Sequence, residues 1–262
     1  MRRIACALVV LLVGGLAADA AAAGFDAAKL AAVKKAASDF QALAKGSATS
    51  GKPPRETDPK AKALLAAVFD TSVLDTPQPL PASEVGNLSE WLLHVVQVGG
   101  VYILAGTGQA DFSQLSKLDQ AAQQKLQRQI IQNTIAFAPE MGWYFDGQLG
   151  VTRTLIWSVS ADMAAHPDNA KSAQAQRGIA QMRAGLVNTL TGVLTTLPTN
   201  GLSDEWRRAR LPAMAALAPK AAAFLLPDQR RSVHDTALQV AGQMGDPEVK
   251  KGLTAFAQAV GG

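Results

Sequence analysis

Residues 83–106 read SEVGNLSEWLLHVVQVGGVYILAG, and the conformation of this stretch decides the fold class. Leu88, Trp91, Leu92, Leu93, Val95, Val96 and Val98 leave little polar face, as in a helix buried inside a bundle. Gly99-Gly100 opens the alternative that Val98 to Leu104 is a strand. A strand needs a partner, and the chain offers no second candidate to pair with it. The stretch is therefore expected to be a buried central helix. The chain is expected to be an all-α multi-helix bundle of about eight to nine helices, with short helical pairs at its C-terminal end.

The segments on either side carry the same period. Leu115 to Ala138 places Leu118, Ala122, Leu126, Ile130 and Ile131 at helical spacing. Pro139 to Ala165 repeats it with Phe145, Leu149, Thr152, Ile156, Val159 and Met163, and His166-Pro167 ends it. Asp168 is the expected cap of a long helix striped by Ile179, Met182, Leu186, Leu190, Val193 and Leu197. Pro198 to Gly201 turns the chain. The last sixty or so residues read as shorter helices separated by Pro212, Pro219, Pro227 and Pro247. Asp246-Pro247-Glu248 is a strong start: cap, proline at the first position, then an acid at the positive end of the helix dipole.

Upstream of residue 83 the order is looser. Phe25 to Lys45 predicts one helix, stopped by Gly46, and Pro59 to Asp70 a shorter one. Between them lies a polar linker, 46–59, and after them a break containing Pro77, Pro79 and Pro81. Residues 24–82 are therefore expected to form an N-terminal helical arm with a flexible linker, and 83–262 the helical domain.

The first residues predict export. Arg2 and Arg3 precede the apolar run Ile4 to Leu16, which spans about 20 Å as a helix, too short for a hydrocarbon core of about 30 Å. Asp19 breaks the apolarity, and Ala20 to Ala23 supply the small residues of a signal peptidase site. Residues 1–23 read as a signal peptide cleaved near Ala23/Gly24, placing the mature protein in the periplasm or outside the cell, with no transmembrane segment. Cys6, the one cysteine, lies inside the apolar run, so the mature chain would carry no disulfide, thiolate nucleophile or Cys-ligated metal. Cleavage leaves a net charge of +3 on 239 residues, without a basic stripe, which argues against nucleic-acid binding.

Several short motifs fail on context. Gly46-Ser47-Ala48-Thr49-Ser50-Gly51-Lys52 resembles a phosphate loop until Pro53 replaces the metal-binding hydroxyl, and a helix rather than a strand precedes it. Gly106-Thr107-Gly108 opens like a dinucleotide loop, but Asp111 stands at its third glycine. There is no Gly-x-Ser-x-Gly and no Ser-x-x-Lys.

Two features remain. Glu90 with His94, and Asp162 with His166, are carboxylate–imidazole pairs four residues apart; if the two pairs converged they could hold a metal, and otherwise each is an ordinary helical ion pair. The polar stripe Glu90, His94, Gln97 is expected to meet Asp146 and Arg153, or Asp162 and His166, on a neighbouring helix. Eight of the fourteen aromatics lie between Trp91 and Trp157, a concentration that directs attention to residues 139–165. There Trp143, Tyr144, Asp146, Arg153 and Trp157 are the candidate ligand-binding residues, the last three sharing one stripe opposite the core. No cofactor is expected. The function expected is that of an exported, non-enzymatic helical protein acting through contacts with an unidentified protein or cell-envelope partner. The alternative is a small-molecule, haem or metal-binding helical bundle.

Overall fold

The computed structural model describes residues 27–109 and 118–261. The leader expected at 1–23, the helix start at Phe25, Asp111 and the helix start at Leu115 lie outside the described residues.

Among the described residues no strand forms, and helix accounts for 79%, more than twice the roughly one-third of an ordinary globular domain. Ten α-helices follow one another: α1 (Ala27–Leu43), α2 (Ser47–Ser50), α3 (Pro59–Phe69), α4 (Val85–Ile103), α5 (Gln120–Ala136), α6 (Ala138–Ala165), α7 (Ala173–Thr196), α8 (Asp204–Phe224), α9 (Pro227–Ala241) and α10 (Pro247–Gly261). Nine of them are seven residues or longer, so the expectation of a multi-helix bundle holds. None is long and apolar enough to cross a membrane. Residues 98–103 continue α4 as helix.

Caps set several of the starts. The Asp58 carboxylate accepts from Lys60 N and Ala61 N at the start of α3, Ser172 Oγ from Ala175 N at α7, Ser203 Oγ from Trp206 N at α8, and Asp246 Oδ1 from Val249 N at α10. The cap of α7 is thus Ser172, not Asp168, which instead precedes a single 3-10 turn at Asn169–Lys171. Nor do Pro212 and Pro219 separate helices: both lie inside α8. A proline leaves the carbonyl four residues earlier unbonded. Here those carbonyls belong to Arg208 and Ala215, and all four residues are exposed, so water can take the place of the lost bonds.

α6 is the axis of the packing. It lies against α4 on one side and α8 on the other, with α3 also on it; α8 continues to α10, and α10 to α9. α4 is less enclosed than expected. Gly86, Leu93 and Gln97 are exposed along one ridge that also carries Glu90, because the polar positions recur every three or four residues.

The N-terminal segment is bound into the same core. Val33, Phe40, Leu65 and Val68 are fully buried in one cluster with Leu88 and Trp91 of α4. The linker residues make contacts of their own. Gly51 and Gly106, both in the left-handed region that favours glycine (φ 67° and 69°), pack backbone to backbone. Gly106 N donates to Ser47 O (3.1 Å) and Gly108 N to Ala48 O (2.8 Å). The two nucleotide-loop look-alikes therefore lock onto one another. Farther along, the Tyr102 hydroxyl donates to Pro54 O (2.8 Å), and burial, followed by the nearby Glu140 charge, pushes its phenol well above the ordinary range. Glu140, fully buried at the start of α6, accepts from Arg55 Nε (2.8 Å) and from Glu56 N (2.9 Å). Residues 51–58 form a strap held down by that carboxylate.

Candidate functional site

The five residues singled out on α6 divide into core and staple. Tyr144 is buried, its ring against Gly99 of α4, edge-on to Phe69 (centroids 6.4 Å apart) and 5.2 Å from Phe145. Trp143 is half-buried and packs on the core. Asp146, Arg153 and Trp157 do share a stripe, but each meets a partner from a neighbouring segment. Arg210 of α8 grips Asp146 with two bonds, Nε to Oδ1 at 2.8 Å and Nη2 to Oδ2 at 2.7 Å. Arg153 pairs with Asp75 in the segment that follows α3. The Lys220 ammonium of α8 sits 3.7 Å from the Trp157 ring centroid.

These contacts give the direction of the helix pair. Trp206 Nε1 donates to Ala138 O (2.6 Å), Arg210 holds Asp146 and Lys220 covers Trp157, so residue numbers rise together and α6 and α8 run parallel. Gly142 lets the Arg210 guanidinium lie close to α6: an added Cβ would stand 2.6 Å from Nη1. Burial pushes the Asp146 carboxyl above the usual range, and the Arg210 charge pulls it partway back. The stripe expected to line a groove is occupied by α8 and Asp75.

The carboxylate–histidine pairs stay apart. Glu90 bonds Lys34 of α1 (2.8 Å), His94 Nδ1 lies 3.2 Å from Gln97 Oε1, and Gln41 of α1 donates to Gln97 O (3.1 Å). The stripe on α4 therefore faces α1, not Asp146, Arg153, Asp162 or His166, because α1 rather than α6 packs along that side. The Asp162 and His166 side chains bond each other, at 3.0 Å. No three His, Cys, Asp or Glu side chains gather as a metal site among the described residues.

One open concavity stands apart from these pairs. It lies between α9 and α10, has a volume of about 510 Å³, and is lined by Pro227, Arg230, Arg231, His234 and Asp235 of α9 with Gln258 and Gly261 of α10. Arg230 has no carboxylate partner among the described residues, and its Nε is shut off from solvent without a hydrogen bond. Arg231 touches Asp228 only loosely, at 3.6 Å, with both side chains largely exposed. His234 Nδ1 lies 2.9 Å from Asp235 Oδ1. Gly261 makes the close approach of α10 possible, since a Cβ there would fall 2.7 Å from His234 Cδ2. Leu226, just before α9, and Leu238 within it are exposed. In the sequence, Arg230 and Arg231 read as solvating charges; the four-residue spacing of Arg230 and His234 was the signal that they share a side.

Compared with known protein families, curated proteins and solved structures, the chain finds no match.

Proposed function

We propose that the chain is an exported helical protein that works by contact with a component of the cell envelope rather than by catalysing a reaction. The observation that carries this reading is the outward face of α9. Arg230 and Arg231 border the concavity there, and Leu226 and Leu238 of the same segment are exposed by 48% and 40%. Cationic and apolar groups on one surface segment suit an anionic, partly apolar surface. The charged and aromatic groups of α6, by contrast, are engaged in holding α8 and Asp75.

Two measurements test the reading. Protein recovered from the periplasm or medium begins within two residues of Gly24, as the alanine box at Ala20 to Ala23 predicts. The purified mature chain sediments with washed envelopes at low ionic strength and is released as salt rises, because exposed charges are screened over about 10 Å at 0.1 M. Retention in the cytoplasm with Met1 intact, or a mature chain that stays in the supernatant at low salt, refutes it.

A further inference from the structure

We infer that the concavity between α9 and α10 is a binding site for a phosphate group, with Arg230 and Arg231 as its cationic ligands and His234 at its wall. The inference deepens the reading above by naming the chemistry that α9 would recognise, and it rests on that reading only for the source of the phosphate.

Donor supply is the first argument. Arg230 brings a guanidinium with no acidic partner among the described residues, and its Nε is shut off from water with no bond of its own. Arg230 also borders the concavity, which places its guanidinium where it can meet a ligand oxygen. Arg231 adds a second fork, held only by its 3.6 Å contact with Asp228 and free to turn inward. Guanidinium forks match phosphate oxygens in pairs.

Shape is the second. His234 is held at the wall from two sides, by Asp235 at Nδ1 and by Gly261, whose missing side chain lets α10 close on the ring. Asp235 takes up Nδ1, so Nε2 is the ring nitrogen left for a ligand. Gln258 of α10 lines the opposite side with an amide. Two guanidinium forks and an imidazole around one opening are more than the two oxygens of a carboxylate can take up. A tetrahedral phosphate, with three or four oxygens, can use them all. Asp228 and Asp235 limit the net positive charge, but each is already turned to a basic side chain of the site.

The test uses the mature chain and two probes. Inorganic phosphate is titrated at constant ionic strength, followed by calorimetry, with chloride as reference. Vesicles of phosphatidylglycerol in phosphatidylcholine are compared with phosphatidylcholine alone by cosedimentation. We expect saturable binding of at least one probe, weakened about tenfold by Arg230→Gln and by Arg231→Gln, as for loss of one charge-assisted contact. Arg208→Gln on α8, whose arginine pairs with Asp246 and with Glu248 of α10, leaves binding unchanged. Circular dichroism confirms that the variants are folded. Binding of phosphate alone marks a soluble ligand; binding of anionic vesicles marks a lipid headgroup. Failure of both probes, or binding that survives both Arg230→Gln and Arg231→Gln, overturns the site. Envelope binding that the variants retain would sink the site and leave the envelope reading standing. Arginine-dependent phosphate binding without envelope binding would do the reverse.

Discussion

The Asp146–Arg210 pair is unequal, and the inequality predicts an order of mutational cost. The Arg210 side chain is 10% exposed and the Asp146 side chain 40%. Replacing Asp146 by alanine removes both acceptors and leaves the guanidinium enclosed by Gly142 and Trp206. Breaking a fully buried pair in this way costs about 3–5 kcal/mol. Because Asp146 is partly exposed, water enters the vacated space, and the expected loss is about 2 kcal/mol. Replacing Arg210 by methionine keeps the volume against Gly142 and leaves a carboxylate that already reaches water. The expected loss there is about 1 kcal/mol. The double variant loses about 1.5 kcal/mol, so the coupling is also about 1.5 kcal/mol. Urea denaturation of the mature chain measures all four corners, and the alanine variant melts about 4–8 °C lower if roughly 2–4 °C accompanies each kcal/mol at this size. Should Arg210→Met cost more than Asp146→Ala, or the two losses add within about 0.3 kcal/mol, the pair does not staple α6 to α8 as described.

Three further outcomes follow from the same contacts. Burial raises the folded-state pKa of Asp146, so the folded chain holds that proton more tightly than the unfolded one. The stability this provides is full below the ordinary value of about 3.9 and is lost as pH rises through the raised one; wild type therefore gains on Asp146→Asn as pH falls, and a gap that shrinks on acidification is evidence against it. Gly99→Ala pushes a methyl to 2.5 Å from Tyr144 Cε2 and 2.7 Å from Cγ, costing about 1–3 kcal/mol, whereas Gly86→Ala on the exposed ridge of α4 meets nothing within 4 Å and gains up to about 1 kcal/mol; equal effects in thermal melts refute the packing. Glu140→Ala frees the strap, so brief proteolysis cuts the variant between Gly51 and Asp58 while wild type resists there, and equal cleavage of the two contradicts the anchoring role.

Periodicity carried the fold. A 3.6-residue apolar repeat identifies its own helix, which is why α4, α6 and the stripe of α7 are readable from composition and spacing alone. Local chemistry failed where two local rules competed. Proline usually marks a boundary, yet Pro212 and Pro219 stay inside α8, since their seven-residue spacing puts both, and the carbonyls they leave unbonded, on the exposed side. Ser172 and Asp168 are both good caps, and only the path of the chain after His166 chooses between them. The strap shows a different limit. Residues 46–59 are polar and rich in glycine and proline, the composition of a loose linker, but their anchor is Glu140, more than eighty residues away. No local window contains that pairing.

The candidate site raises the same question of partners. Asp146, Arg153 and Trp157 do lie on one face, as helical spacing requires, but a face acquires a role only from what covers it. On α6 the cover consists of Arg210, Asp75 and Lys220, and the same side chains that could line a groove become the staples of a helix pair. Arg230 presents the converse. It is one of two adjacent arginines on a short helix, which in sequence is the mark of a solvated surface. Yet its Nε lies out of reach of water and has no acceptor, and it borders a concavity with Arg231 and His234. What sets α9 apart is a guanidinium without an acidic partner beside Arg231 and His234 at an open concavity, whereas on α6 Asp146, Arg153 and Trp157 already meet Arg210, Asp75 and Lys220.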